Sequence, residues 1–274
     1  MSSAAEDLAF EALARRISQG GGLAVEAYKT KCIRRRIAVR MRACGVHTYG
    51  EYHALLDRNP AEYDRLRDAL TINVTRFYRN AETWNLLRRT LLPRLCQDPR
   101  GEIRAWSAGC ASGEEAYTLA VLLADELDRS GRPERLDRVV IDATDIDRLS
   151  LDRAKAACYR REALVEMPSE LVSTYFEPGR EDRRVVERVR RRVFVRRLDL
   201  SKETPPRRDY QLILCRNVAI YFDRPMQERL FHAFTEALAP GGYLVLGKVE
   251  TLLGAARDRL ALLDPRERVY RRSA

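Results

Sequence analysis

Two adjacent glutamates, Glu114 and Glu115, follow a turn of small residues, Ser107-Ala108-Gly109-Cys110-Ala111-Ser112-Gly113. Asp145 closes the next apolar run, Val139-Val140-Ile141. A turn of Gly and Ala lets a ligand approach the backbone closely. An aspartate at the carboxyl end of the following strand can accept two hydrogen bonds from a ribose diol. The turn is not G-x-G-x-x-G. Glutamates at a helix start suit the helix dipole but repel a pyrophosphate. That chemistry argues against NAD and ATP and favours a nucleoside with a cationic or phosphate-free tail. S-adenosylmethionine, with its ribose, sulfonium and ammonium, fits. An ordinary βαβ unit with acidic caps accounts for the same pattern, since a loose glycine turn is a weak motif.

The elements that must hold these residues are legible around them. Ile103 to Trp106 is an apolar strand. Ala116, Leu119, Ala120, Leu123 and Leu127 share one helical face. Strand, glycine turn, helix, strand and acid together form half of a doubly wound α/β sheet. Further on, Tyr210 to Cys215 reads as a buried strand, with Arg216 and Asn217 at its carboxyl end. Ligands of doubly wound sheets bind there. Asp223 caps a helix carrying Leu230, Phe231, Phe234 and Leu238, which stops at Pro240-Gly241-Gly242. Tyr243 to Leu246 and a strand near Val269-Tyr270 complete the sheet.

The amino-terminal part is helical. Residues 4 to 18 place Phe10, Leu13, Ala14 and Ile17 on one face, and Gly20-Gly21-Gly22 breaks the pattern. Ala27 to Cys44 is a helix striped with Ile33, Ile37, Met41 and Cys44. It carries Lys29, Lys31, Arg34, Arg35, Arg36, Arg40 and Arg42 and no acid. A solvated face usually mixes signs, because like charges at i,i+4 repel. A docking surface for an acidic partner and a plain solvated face both remain open. Asn59 caps a further helix with Pro60 in its first turn. In Thr71 to Asn80, polar Asn73, Thr75 and Arg79 stand among Ile72, Val74, Phe77 and Tyr78. Those polar groups need partners if buried, either a ligand or a helix end. Asn80 caps a helix containing Trp84, Leu87 and Leu91. Val185 to Leu200 interleaves β-branched residues with arginines and reads as an inserted antiparallel hairpin. Its arginines offer a second basic surface, or simply protect an edge strand.

The bulk composition agrees with this layout. The 274 residues include 45% apolar ones, enough for one large domain or two smaller ones. Net charge is +10 and the pI about 9.5, pointing to an acidic partner. Six cysteines form no C-x-x-C pair, and three histidines are not spaced as ligands, so no metal site is expected. No signal-like amino terminus and no apolar run of about 18 residues is present, which indicates a reduced, cytoplasmic protein without a membrane span. The positive charge lacks interleaved aromatics for base stacking, so nucleic acid is not the expected partner.

Four motifs in order make the sequence resemble the chemotaxis receptor glutamate O-methyltransferases, the CheR family. They are Asn73-x-Thr75-x-Phe77-Tyr78-Arg79, WSAGCASGEEAYTLA at 106 to 120, ATDID at 143 to 147 and CRNVAIYFD at 215 to 223. The resemblance covers nearly the whole chain. It implies an all-α amino-terminal domain to about residue 95 and a class I, Rossmann-like methyltransferase domain over 96–274, with an antiparallel β-subdomain inserted at about 160–197. It implies contacts to S-adenosylmethionine, and to the product S-adenosylhomocysteine, from Asn73, Thr75, Arg79, Glu115, Asp145, Asp199, Leu200, Arg216 and Asn217. Asp145 would take the ribose hydroxyls, and Asp199 and Leu200 would lie by the adenine. Tyr221 is similar to the tyrosine near the transferred methyl. On charge alone, Arg216 or Arg79 would orient the incoming carboxylate by a charge-assisted pair. Lys31, Arg34, Arg35, Arg36, Arg40 and Arg42 would meet glutamate-rich cytoplasmic helices of a methyl-accepting receptor, with the enzyme acting as a monomer. A class I methyltransferase acting on RNA and a non-catalytic signalling module are the rival readings. The family's Gly-His/Thr-Ser-Glu stretch is Gly247-Lys248-Val249-Glu250 here. The arginine hairpin also lacks the glycine-rich turn with which some members hold a receptor's C-terminal pentapeptide, so such a tether is not required.

Overall fold

The structure, a computed structural model, describes residues 3–19, 23–70, 75–98 and 101–273. Gly20-Gly21-Gly22 and Asn73 therefore lie outside the described residues. The chain divides into two compact units, one of Met1–Ile72 with Ile220–Gln227, the other of Asn73–Ala219 with Glu228–Ala274.

The first unit is helical, with α1 (Ser3–Gln19), α2 (Thr30–Ala43), α3 (Tyr49–Arg58) and α4 (Pro60–Leu70). A 3-10 turn at Val25–Ala27 precedes α2, so that helix starts at Thr30 rather than at the expected Ala27. Leu13, Ile17, Ile33, Ile37, Tyr52, Leu56 and Leu66 form the core. Thr48 and Glu51 make a capping box at the start of α3, and the Asn59 side chain accepts the Glu62 N–H at the start of α4. Residues 220–227 rejoin this unit through backbone bonds: Lys29 N–H to the Tyr221 carbonyl at 2.9 Å and Asp223 N–H to the Ala27 carbonyl at 3.0 Å. Tyr28 and Phe222 rings meet beside them at 4.8 Å.

A buried carboxylate holds the helical unit together. Glu62 is 1% exposed and receives both Arg40 Nε and Nη2, at 2.9 and 2.7 Å, and the Tyr52 hydroxyl at 2.8 Å. Burial works to raise the Glu62 pKa, but the Arg40 and Tyr52 hydrogen bonds outweigh it and hold the carboxyl below its usual range.

The second unit opens with α5 (Ala81–Thr90) and α6 (Leu92–Gln97), so these two helices belong with the sheet rather than with the helical unit. Then follow β1 (Ile103–Ala108), α7 (Glu114–Arg129), β2 (Val139–Asp145), α8 (Arg148–Ala156), β3 (Cys158–Arg160), α9 (Ser169–Tyr175), β4 (Phe176–Glu177), β5 (Asp182–Val185), α10 (Glu187–Arg190), β6 (Val193–Arg197), β7 (Tyr210–Cys215), α11 (Arg224–Ala237), β8 (Leu238–Leu246), α12 (Ala256–Arg259), β9 (Leu260–Asp264) and β10 (Val269–Arg272). The main sheet runs β6-β2-β1-β7-β8-β10-β9. Its first five strands are parallel and β10 is antiparallel to both neighbours. Strand order reverses between β1 and β7, which places the ligand crevice outside their carboxyl ends.

The small sheet, β3-β5-β4, is antiparallel. The expected hairpin over Val185 to Leu200 does not form. Its first residue ends β5 in the small sheet, α10 intervenes, and β6 pairs in parallel with β2 as an edge of the main sheet. Val193 and Val195 turn inward there, while Phe194 and the arginines keep the other face wet. The arginines thus guard an edge strand. β8 also starts earlier than expected: Pro240-Gly241-Gly242 lies inside it, accommodated by a register shift between Tyr210 and Leu212 of β7. Among the described residues no helix is long and apolar enough to cross a membrane.

Removing one partner of a buried ion pair leaves the other charge uncompensated. Arg40→Met should lower stability by about 3 kcal/mol, read as a lower urea midpoint. Because the folded Glu62 pKa is depressed, its stabilisation is present above the unfolded value of about 4.3 and is lost as pH falls through the folded one. The variant should lose that acid-side slope. An unchanged midpoint would mean that Glu62 is solvated after all.

Candidate functional site

The crevice at the ends of β1, β2, β6 and β7 collects residues from each. The β1–α7 turn bends through Gly109 (φ +80°) and Gly113 (φ +94°). A Cβ on Gly109 would stand 2.4 Å from Val218 Cγ2, and one on Gly113 would stand 2.9 Å from the Ala154 Cβ. Both glycines are thus required by conformation and by space. The Thr144 carbonyl accepts from Gly109 and Cys110 N–H at 2.8 and 2.9 Å, pinning the turn to β2.

Asp145 sits at the end of β2. Its carboxylate accepts Ala111 N–H at 2.8 Å through Oδ2 and Asp147 N–H at 3.0 Å through Oδ1. Each oxygen keeps a lone pair for a ligand. Desolvation pushes its pKa up, against the backbone donors of Asp147, Ala111 and Ile146 that pull it down. Asp199 and Leu200 follow β6, next to β2; Leu198 N–H donates to the Asp145 carbonyl at 2.9 Å. The Asp199 carboxylate is turned to Ser201, whose N–H and hydroxyl reach Oδ1 at 2.9 and 2.6 Å.

The two glutamates of α7 divide. Glu114 is buried and receives the Ser112 hydroxyl at 2.8 Å, and burial raises its pKa. Glu115 accepts the Ser107 hydroxyl at 2.8 Å and faces Arg216 Nη1 at 3.5 Å. Burial pushes the Glu115 pKa up and the Arg216 pKa down, each against its partner's attraction. The arginine keeps its proton regardless. Arg216 Nη2 donates to the Arg79 carbonyl at 2.8 Å and to Asn80 Oδ1 at 3.0 Å, and its guanidinium lies over Trp84 at 5.3 Å. Asn80 stands at the N-cap position of α5 as expected, its carbonyl accepting the Thr83 N–H at 2.9 Å, but at φ +62° its side chain makes no capping bond and turns to Arg216 instead. The buried Arg216 Nε has no hydrogen-bond partner among the described residues.

The structure therefore gathers Glu115, Asp145, Asp199, Leu200, Arg216 and Asn217 beyond strand ends of one sheet, and Arg79 joins them through its carbonyl, which Arg216 reaches. Thr75 is half-buried at the start of the segment that leads to Arg79. Tyr221 falls in the helical unit, its ring beneath the Arg36 guanidinium at 5.5 Å. The expected docking set also divides. Lys31, Arg35 and Arg42 are exposed. Arg34 pairs with Asp7 at 2.6 Å, Arg36 donates to the Ala69 and Leu70 carbonyls, and Arg40 is the partner of Glu62. One residue not expected at the site is Glu250, whose carboxylate accepts the N–H groups of Asn217, Val218 and Gly247. The only sequence signal for it was an acid at the end of the motif that departs from the family pattern.

A carboxylate open to a diol, acids that reject phosphate, and a buried guanidinium with an orphaned N–H suit a nucleoside bearing a carboxylate. S-adenosylmethionine has those groups, and fold and site together define an S-adenosylmethionine-dependent methyltransferase. The comparisons narrow the class. Residues 73–267 match the family model "CheR methyltransferase, SAM binding domain" and residues 8–71 match "CheR methyltransferase, all-alpha domain". The chain is 34% identical over 259 residues to a chemotaxis protein methyltransferase of Klebsiella aerogenes, covering 92% of this chain and 86% of that protein. To its Listeria monocytogenes counterpart it is 33% identical over 243 residues, covering 89% and 90%. The chain belongs to the CheR methyltransferase family, and S-adenosylmethionine is its cofactor.

Hydrogen bonds to a charged group contribute roughly 1.5–3 kcal/mol. Asp145→Ala should therefore weaken S-adenosylhomocysteine binding by about tenfold to a hundredfold in titration calorimetry. In the wild type, affinity should fall on acidification, as Asp145 takes up a proton and loses an acceptor. Its raised pKa sets that fall at a higher pH than an ordinary aspartate, near 3.9, would give. Wild-type affinity in the alanine variant would remove Asp145 from the site.

Proposed function

We propose that the protein methylates side-chain carboxylates of glutamates on chemoreceptors, producing glutamate methyl esters. The observation that carries the reading is the buried Arg216, with its unpaired Nε, facing Glu115 in a chain of this family. S-adenosylmethionine, when bound, supplies a methyl group on a sulfonium. A glutamate side chain has a reference pKa of about 4.3 and is already a nucleophile at neutral pH. The oxygen–carbon bond forms as the carbon–sulfur bond breaks; the electron pair stays on sulfur and no proton moves. No general base is needed. The protein's work is alignment at roughly 3–3.5 Å and exclusion of water. Asp145 anchors the ribose, and Arg79 and Arg216 hold carboxylates by charge-assisted bonds.

The receptor surface in this reading is the exposed face of α2. Lys31, Arg35, Val39 and Arg42 follow one another at spacings of four, four and three, the rhythm of a seam between helices. Val39, 49% exposed, adds an apolar contact among the charges. An acidic helix of a receptor's cytoplasmic bundle matches that stripe in shape and sign. RNA does not, because α2 contains no aromatic residue for stacking.

Radiolabelled cofactor incubated with receptor-bearing membranes should label protein in a form that mild alkali releases as methanol. Base-stable label, or label in RNA, would overturn the ester reading. Reversing Arg35 and Arg42 to glutamate should slow methylation at low salt and leave cofactor affinity unchanged. Opposed charge mainly speeds encounter. The difference from wild type should shrink as the Debye length falls from about 10 Å at 0.1 M salt to about 3 Å at 1 M. Wild-type rates in low salt would mean that receptors dock elsewhere.

A further inference from the structure

The stretch that departs from the family pattern, Gly247-Lys248-Val249-Glu250, is tied down at both of its charges. Lys248 reaches outward to Glu82 at 3.3 Å and Glu267 at 3.2 Å. Glu267 in turn accepts the Thr83 hydroxyl at 2.5 Å. Glu250 turns inward and is 4% exposed. Its Oε2 accepts Gly247 N–H at 2.6 Å and Asn217 N–H at 2.9 Å; its Oε1 accepts Val218 N–H at 3.0 Å. Three backbone donors converging on one carboxylate make an anion nest whose anion the chain itself provides.

The nest fixes a bend that needs fixing. Asn217 stands at φ +62°, a left-handed region that glycine and, among the others, asparagine and aspartate mainly occupy. A Cβ on Gly247 would lie 2.7 Å from Glu250 Oε2 and 2.8 Å from the Asn217 nitrogen, so the loops after β7 and β8 are in direct contact. Val218, held by the same carboxylate, fills the space over Gly109. One side chain thus sets the separation between the loop after β7 and the β1–α7 turn.

We propose that Glu250 is a positioning residue for the cofactor: it holds Asn217 in its left-handed bend and seats Val218 on Gly109, giving the crevice its width. The inference rests on the reading that Arg216 and Asn217 contact S-adenosylmethionine. Glu250 itself touches no ligand and exchanges no proton.

Glu250→Gln tests it. The glutamine amide has one oxygen and a donor NH2, so at least one of the three N–H groups loses its acceptor. S-adenosylhomocysteine affinity should fall by about tenfold to a hundredfold, measured by calorimetry at a temperature where circular dichroism shows the variant folded. Amide exchange at Asn217, Val218 and Gly247 should quicken, while Gly109 and Cys110, bonded to Thr144, stay protected. A purely structural role would lower the melting temperature and leave the affinity of the folded protein intact, and that result overturns the proposal. Should the glutamine variant not fold, Gly247→Ala presses on the same contact with the carboxylate retained. It should show the same loss of affinity, and wild-type affinity there overturns the proposal equally. Asp145→Ala separates the two layers. If it weakens binding and Glu250→Gln does not, the inference about Glu250 fails and the cofactor site stands. If the wild type itself does not bind S-adenosylhomocysteine, the cofactor site fails and this inference with it.

Discussion

A guanidinium taken out of water must be surrounded by acceptors, and much of the second unit's crevice is arranged around one. Arg216 draws its partners from three separate stretches of chain. The Arg79 carbonyl and Asn80 side chain come from the turn before α5, Glu115 from the first turn of α7, and the Trp84 ring from α5. Those stretches are bent to reach it. Tyr78 and Asn80 both stand in the left-handed region, and the Asn80 side chain gives up the capping bond its type favours. Ser107 then ties Glu115 back to β1. Among the described residues the guanidinium still keeps one N–H without an acceptor.

The same logic runs through the acids. Glu114 and Glu115 are neighbours in sequence with different tasks. Glu114 stabilises the turn through Ser112, whose carbonyl receives the Tyr159 hydroxyl at 2.8 Å. Tyr159 packs edge-on to Phe77, and Phe77 to Phe176, so the small sheet and the segment leading to Arg79 brace the glycine turn from one side. Glu115 faces the guanidinium. Burial raises the pKa of both, which describes a crevice that tolerates negative charge poorly.

In the helical unit, charge is divided between holding the fold and facing solvent. Arg40 and Arg36 are the inward charges of α2: one neutralises Glu62, the other fills carbonyls at the end of α4. Burial lowers the Arg36 pKa, consistent with a side chain serving the fold. Lys31, Arg35 and Arg42 stand on the opposite side. A run of like charges is therefore two populations, separated by the helical period of 3.6 residues.

The sequence by itself determined the α/β class, the glycine turn, the acid at the end of β2 and the polar pair after β7. Each of these depends on local pattern: strand length, a turn that only small residues permit, an acid at a strand end. The family motifs added the cofactor by resemblance. Tertiary structure decided what local pattern cannot encode. Val185 and Val193 both carry the alternation of a strand, but periodicity does not say which sheet a strand joins, and they joined different ones. Asn80 has the chemistry of a cap, but a buried guanidinium distant in sequence competed for its oxygen and won. Arg36 and Arg35 are adjacent and alike; only the position of Leu70 tells them apart. Glu250 lies 33 residues beyond Asn217 and accepts backbone N–H groups, which leaves no trace in the partners' side-chain types. Long-range partners of buried charge are set by how the elements pack, and the packing exists only once the chain has folded.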